Sequence, residues 1–454
     1  MSGITPEQAA AIESRDRDVF CEAGAGSGKT RVLVGRYCDA LTEDGVGIDE
    51  ILAFTFTERA ASELRQRIRR ELGERSGAAR AAGDERRAAE LRGLARETER
   101  AWVTTIHGFC RRLLGTHPIA AGLDPRFRVL DAPEAGRLRE QAAREAIEAL
   151  VAAGDERVER VAAAYRAYRV SDIVLTAHER LRSQGMARPA LPEVGLPRRS
   201  QRDDDSPLDP AETQAALDAR AALQEVLQAV SARYEELKGG RSGLDFADLE
   251  LRSVELLRNS DAVASAWRGR FKHLMVDEFQ DTNRVQLELI ERLRDPDTRL
   301  FTVGDEHQSI YRFRNADLEV FRAERRTAEA ADGTDVLPLR GNFRSRPEVL
   351  ATANALGETL LAGFTPLQTG RASAGDGLRA ELLLTLEEGR GRNHRKWKAE
   401  GIELEPPPSE GNWATVAQAR ALAERLRGLV DAGEAEPGEI VVLLRAFTLS
   451  LIHI

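Results

Sequence analysis

Residues 21–30 read CEAGAGSGKT, and no other stretch restricts the fold as tightly. Gly24, Gly26 and Gly28 alternate with Ala25 and Ser27, and Lys29 and Thr30 close the run. Residues 23–30 nearly match the phosphate-loop pattern G-x-x-x-x-G-K-[ST], with Ala23 in the first position. Backbone N–H groups close around phosphates only where no Cβ intervenes, which is what the three glycines provide. Lys29 then reaches the β- and γ-phosphates of ATP, and the Thr30 hydroxyl is a ligand for Mg2+. "DVF" before the loop reads as a strand and "KTRVLVGRYCDAL" after it as a helix, whose positive end faces the same phosphates. A plain glycine turn is the alternative, and the strand–loop–helix order weighs against it. So does the lysine. Only five of 66 basic residues are lysine (Lys29, Lys238, Lys272, Lys396 and Lys398), so one placed here marks a need for a compact ammonium that a planar guanidinium does not meet.

Such a loop requires a strand ending in carboxylates, and "HLMVDEF" supplies one. Asp277 would hold Mg2+ through water and Glu278 would polarise the attacking water. Taken alone, Asp-Glu at a strand end is equally a solvated turn. Further strands are "ILAFTF", "WVTT" and "LFTVGDE", each followed by helical periodicity; "DVLPLRGNF" opens a new unit that ends in a strand "EIVVLLR" at 439–445. Thr5-Pro6-Glu7-Gln8 starts a helix with a capping box. Residues 73–100, rich in Arg, Ala and Glu, read as a solvated helical arm. Asp131 with Glu134 caps a long helical region whose apolar stripe is Leu138, Ala142, Ala146, Ile147, Leu150 and Val151, and helix resumes through Tyr234 and Leu237. Residues 190–211 read as a loop or disordered link and 388–412 as a surface loop. The pattern is α/β: a parallel sheet interrupted by a large all-helical insertion.

Composition limits the partners. A chain of 454 residues implies two or three domains, and 42% hydrophobic with 31% charged residues is ordinary for a globular protein. Three scattered cysteines fit a reduced, cytoplasmic setting. No apolar run is long enough for a membrane span, and no signal pattern opens the chain. With a net charge of −9, any nucleic-acid site must be local.

Six stretches occur in a fixed order: "AGAGSGKTRVL", "TFTERAASEL", "TTIHGFC", "VDEFQDTN", "VGDEHQSIYRFRNAD" and "LRGNFRSRPEVL". In this the chain resembles superfamily 1 DNA helicases of the UvrD/Rep type, and "TIHGFC", "DPRFRVLDAPEA" and "LDFADLE" are most similar to the RecB and AddA branch, the motor subunits of helicase–nuclease complexes. The resemblance implies a P-loop, RecA-like motor domain over 1–118 and 244–335, the helical insertion over 119–243, and the start of a second RecA-like domain over 336–454. It implies that Gln8 reads adenine with Arg31 beside it, that Gln308 links the γ-phosphate to DNA, and that Arg344, from the second domain, is an arginine finger beside a base-stacking Phe343. Thr55, Phe56, Thr57, His107, Tyr311, Phe313 and Arg314 would line a single-stranded DNA track.

Simpler roles stay open for several of these. Gln8 also completes the cap with Thr5, Tyr311 and Phe313 also suit a core, a lone histidine such as His107 is often packed, and Thr57 also suits a helix cap. The alternation of aromatics and arginines in "SIYRFR" suits bases stacking beside a phosphate edge. The family's later "GLEF"-type and "ALTRA"-type segments do not occur, so the sequence reads as the N-terminal portion of a longer enzyme. The implied function is an ATP-dependent, 3′-to-5′ DNA helicase or translocase in repair and recombination. The alternatives are the motor of a helicase–nuclease with a partner subunit, or a non-catalytic relative that keeps the fold for binding.

Overall fold

The computed structural model describes residues 3–193, 210–310, 316–372, 380–383 and 413–443. The chain divides into two compact units, residues 1–350 with 354–372 and residues 351–353 with 373–454.

In the first unit Thr5 caps α1 (Pro6–Glu13), its hydroxyl accepting from the Gln8 N–H while the Gln8 side chain accepts from the Thr5 N–H. There follow β1 (Asp18–Ala23), α2 (Lys29–Thr42), β2 (Ile51–Thr55), α3 (Glu58–Ala81), α4 (Glu85–Glu97), β3 (Trp102–Thr105) and α5 (Ile106–Thr116). The insertion carries β4 (Arg128–Val129), α6 (Ala132–Ala152), α7 (Glu156–Tyr165), α8 (Ala167–Ser183), α9 (Pro210–Gly239) and β5 (Gly243–Leu244). The chain returns through α10 (Phe246–Asn259), α11 (Asp261–Trp267), β6 (His273–Val276), α12 (Arg284–Leu293), β7 (Arg299–Gly304), α13 (Leu318–Ala330), β8 (Thr334–Leu339), β9 (Gly341–Asn342), α14 (Pro347–Leu360) and β10 (Gln368–Thr369).

Six strands form one sheet in the order β3-β2-β6-β7-β1-β8, and every pair is parallel. Both faces are covered, as parallel sheets require. The two-residue period of the strands splits their side chains between two cores. Phe20, Leu52, Phe54, Trp102, Leu274 and Val276 pack with α5 and α10–α13. Val19, Cys21, Ile51, Ala53, Val103 and Met275 pack with α1–α3. Because all strands run the same way, the segments after β1, β2, β3, β6, β7 and β8 leave one edge of the sheet together. That edge carries the site.

In the first unit three expectations meet a different arrangement. The domain break expected at 336 falls inside β8, which pairs with β1 from Asp18↔Thr334 to Ala23↔Leu339 and buries Leu339 against the first core. The stretch 73–100 is a packed hairpin rather than a solvated arm: α3 continues to Ala81, α4 folds back on it, and Leu72, Ser76, Ala88 and Leu91 are buried. The Ser76 hydroxyl donates to the Ala88 carbonyl at 2.7 Å. Ile68 and Leu72, four apart on α3, and Ala88 and Leu91, three apart on α4, hidden among the arginines, are enough to seat the hairpin. Along α6 the stripe holds through Ile147, whereas Leu150 is only partly buried and Val151 is exposed, because the helix is running out of its partners.

The ends of the insertion are zipped by a parallel ladder, Arg128↔Gly243 and Val129↔Leu244. Beside it lies a buried ionic cluster in which Arg182 of α8 and Lys238 of α9 meet Asp245 and Asp248 at the start of α10, with Glu235 at the rim. Most of the expected link over 190–211 lies outside the described residues, as does 388–412.

The second unit, by itself, holds α15 (Trp413–Asp431) and an ion pair between Glu381 and Arg425 at 2.6 Å. The strand expected at 439–445 is not formed over its described part: Glu439 ends a short turn and residues 440–443 have no ladder partner among the described residues. A strand's polar backbone needs a neighbour to pair with, and apolar sequence alone does not provide one.

Candidate nucleotide and nucleic-acid site

The glycine loop leaves the buried end of β1 at Ala23 and turns into α2 at Gly28. Gly26 and Gly28 have φ of 69° and 88°, left-handed values that a side chain strains. Space is as restrictive as backbone. A Cβ on Gly28 would stand 2.6 Å from the Gln8 amide nitrogen, and one on Gly26 would stand 2.7 Å from the Arg344 Cβ. Gln8 is buried and donates to the Ser27 carbonyl at 2.9 Å, so its amide braces the loop while also capping α1. The Phe343 N–H donates to the Gly26 carbonyl at 2.9 Å and the Asn342 amide to the Ala25 carbonyl at 2.7 Å. The Asn342 oxygen in turn accepts from the N–H groups of Arg344 and Ser345. Residues 342–345 thus clasp the loop from within the same compact unit. The Phe343 ring lies over Gly341 and Gly370, while Arg344 is exposed. Thr30 and Arg31 stand in the first turn of α2.

Lys29 reaches across to the ends of β6 and β7. Its ammonium donates to Glu278 Oε2 at 3.1 Å and to Gln308 Oε1 at 3.4 Å. Gln280, buried behind them, donates to the same Glu278 oxygen at 2.9 Å and accepts from the Asp305 N–H at 3.0 Å. Asp305 accepts from the Gln308 amide at 2.7 Å, which closes a ring of hydrogen bonds through Lys29, Glu278, Gln280, Asp305 and Gln308. Glu278 sits at φ 51° and ψ 46°, a conformation a non-glycine residue adopts only where its surroundings impose it.

Burial and the neighbouring Glu278 charge push the Asp277 carboxyl up to about 7, and the same two causes push Asp281 up to about 6. Three carboxylates thus crowd one lysine, and a divalent cation would relieve them. Ser27 Oγ and Asp281 Oδ1 are buried without a hydrogen-bond partner. No group of three or more His, Cys, Asp or Glu among the described residues forms a metal cage. Thr30 and Asp277 with phosphate and water oxygens are the donor set Mg2+ favours. The residues fit a magnesium-bound nucleotide.

Beside the phosphate side lies a cavity of about 520 Å3, between the ends of β2, β3 and β6 and the insertion helices α6 and α8. Thr55, Phe56, Thr105, His107, Phe246 and Asp281 are among its walls. The Thr55 hydroxyl donates to the Thr57 carbonyl at 3.1 Å, and Thr57 caps α3 by accepting from the Ala60 N–H. Tyr311, Phe313 and Arg314 lie outside the described residues. Sequence reasoning passed over Gln280, Asn342 and Glu250, although each stands inside a stretch singled out for other residues: "VDEFQDTN", "LRGNF" and "LDFADLE".

The chain is 29% identical over 356 residues to DNA helicase II of Escherichia coli (strain K12), covering 78% of this chain and 40% of that protein. It is 29% identical to ATP-dependent DNA helicase UvrD1 of Mycobacterium tuberculosis (strain ATCC 25618 / H37Rv), over 78% of this chain and 39% of the relative. To an ATP-dependent helicase/nuclease subunit of Alkaliphilus metalliredigens (strain QYMF) it is 27% identical, over 78% of this chain and 39% of the relative. The chain therefore spans about 40% of the length of these relatives. No helix among the described residues is long and apolar enough to cross a membrane. The UvrD/REP helicase N-terminal domain matches residues 4–329, well over half of the chain, and the chain belongs to that family.

Proposed function

We propose that the chain supplies the ATP-hydrolysing half of a DNA helicase or translocase, moving 3′-to-5′ on one strand in repair and recombination. The observation that carries this reading is the hydrogen-bonded ring through Lys29, Glu278, Gln280, Asp305 and Gln308, set beside the cavity walled by Thr55, Phe56 and His107. The loop amides and Lys29 bind the ATP phosphates, and Thr30 and Asp277 hold Mg2+. Mg2+ held there would supply positive charge to the phosphates. Glu278 leaves Lys29 when phosphate takes its place and then orients the attacking water, and Gln308 carries the change from the γ-phosphate to the DNA side. Arg344 contributes positive charge to the transferring phosphoryl group, and Arg31 and Gln8 border the adenine.

Similarity to the helicase/nuclease subunit of Alkaliphilus metalliredigens favours a second form of the same reading, in which this motor works beside a partner subunit. The test is phosphate release from Mg·ATP by residues 1–454 with single-stranded DNA present. Lys29→Ala should abolish it, and Glu278→Gln should keep nucleotide binding while stopping turnover. Hydrolysis by Glu278→Gln within about tenfold of the parent, or about 1.4 kcal/mol in barrier, would remove Glu278 from the role of base.

A further inference from the structure

Glu250, one turn into α10, is a buried carboxylate with three partners on two other elements. Its Oε1 accepts from Gln286 Nε2 at 2.6 Å and meets His107 Nε2 at 3.0 Å. Its Oε2 accepts from Asn283 Nδ2 at 3.3 Å. Asn283 and Gln286 form the capping box of α12, the helix that follows the Asp277–Glu278 turn. Two amides from a fixed helix start therefore pin the carboxylate, and the imidazole must come to it. Phe246, on the same face of α10, holds the ring from a second side, edge-on with centroids 4.9 Å apart. The imidazole is still 36% exposed, on the wall of the 520 Å3 cavity.

A histidine that merely fills space has no need of a buried anion, which is costly to enclose unless it pairs. With Nε2 taken by Glu250, a ligand in the cavity can be met only through Nδ1. In the neutral ring whose proton sits on Nε2, Nδ1 is an acceptor and repels a phosphate oxygen. In the imidazolium both nitrogens donate, one inward to Glu250 and one outward. The charged groups facing the ring are Glu250 on α10, Asp245 at its cap and Glu58 at the start of α3; the cavity wall adds Asp277, Glu278 and Asp281, with Arg139 paired to Glu179 and Arg182 paired to Asp245. Burial lowers the proton affinity of His107, but the Glu250 charge and hydrogen bond outweigh it, and the net shift is upward.

We propose, on the DNA-motor reading above, that Glu250 is a positioning residue for strand binding: it holds His107 with Nε2 inward, so that Nδ1–H is presented to a phosphate of single-stranded DNA in the cavity. The test uses residues 1–454, a dye-labelled oligo-dT and histidine-detected NMR, with His107→Gln identifying the resonance. Removing an opposite charge at this distance should lower the His107 midpoint in Glu250→Gln by about one unit or more. Oligo-dT affinity near pH 7 should fall about tenfold, and the slope of log affinity against log salt should weaken by about 0.7, the value of one phosphate on a single strand. His107→Gln should do the same, and the double variant should add nothing. The parent's own affinity must fall as pH rises through the His107 midpoint, a readout that survives even if Gln at 250 disturbs α10. A midpoint that Glu250→Gln does not move, or parent binding whose salt slope neither variant alters, overturns this proposal alone. No oligo-dT binding by the parent overturns the DNA-motor reading and this proposal with it.

Discussion

Gln280 is the residue on which the nucleotide side of the site turns, and Gln280→Leu isolates its contribution. Leucine is close in size, so the change removes hydrogen bonds rather than volume. The Asp305 N–H loses its acceptor at 3.0 Å, and Glu278 Oε2 loses a donor at 2.9 Å. An unsatisfied buried donor costs about 1–3 kcal/mol, and a bond to a charged group is worth about 1.5–3 kcal/mol. Glu278 is about a third exposed (36%) and can recruit water, so the second loss counts only at its lower end or below. Destabilisation of about 2–4 kcal/mol follows, from the same costs. Trp102 and Trp267, both in the core of the first unit, report its urea transition once Trp397 and Trp413 are replaced by Phe. Because Gln280 also fixes where the Glu278 carboxylate points, turnover should fall about 10–100-fold, or about 1.4–2.7 kcal/mol in barrier. ATP affinity, which on the proposed reading rests on the loop and Lys29, should change little. Gln280→Glu keeps an acceptor for Asp305 and sets a second anion beside Glu278, so it should harm turnover more than stability. Gln280→Leu with stability within about 0.5 kcal/mol of the parent, the range of a surface substitution, would refute the ring as a structural unit.

Gly28→Ala meets a left-handed φ of 88° and the Gln8 amide at 2.6 Å, so it should cost about 1–2 kcal/mol for the backbone alone and weaken binding of a fluorescent ATP analogue; unchanged affinity would show that Gln8 yields freely. His178 and His273 are held neutral in the fold, chiefly by burial and then by arginines, at about 3 and about 4. Below about pH 6.5 the unfolded chain binds protons that these buried rings refuse, so their contribution is complete above that pH and is lost as pH falls toward 4, at up to about 1.4 kcal/mol per pH unit for each. Urea midpoints measured from pH 7 to 4.5 should decline, and His273→Gln should flatten the decline; an identical slope in the variant would exclude His273 from it.

The sequence displays strands and turns more openly than packing between distant segments. β1, β2, β3, β6 and β7 are each short, apolar and followed at once by a glycine loop, a threonine cap or paired acids, so their type and order are legible from local pattern. The seating of α4 on α3 was not, because Ala88 and Leu91 carry too little apolar signal among arginines and glutamates. β8 resembles the opening of a new unit until Leu339 and Leu337 are seen to complete a core that begins at Ala11. "IVVLL" shows the reverse error, since strand-like composition did not produce a ladder in the described part.

Lysine scarcity shows how far a residue-level clue carries. It marked Lys29, which lies in the ring of the nucleotide site, and by the same logic Lys238, which is buried against Asp248 at 2.5 Å in the ionic cluster at the root of the insertion. Lys272 is just as rare, yet it makes only a partly exposed pair with Glu50 at 3.0 Å. Lysine thus occupies two confined places and one partly exposed pair, while the buried Arg36 and Arg182 show that confinement alone does not demand an ammonium, so rarity alone does not separate Lys29 from Lys238. What separates them is the surroundings: three glycines before Lys29, and Asp245 and Asp248 in the capping box that meets Lys238. The residues that sequence reasoning missed share a physical reason. Gln280, Asn342 and Glu250 each act by bridging segments distant in the chain, Glu250 reaching from α10 to both α5 and α12, and no spacing within one element encodes such a bridge. A buried amide or carboxylate must satisfy its polar atoms somewhere, so its presence in a motif announces that a partner exists, while only the fold decides which one.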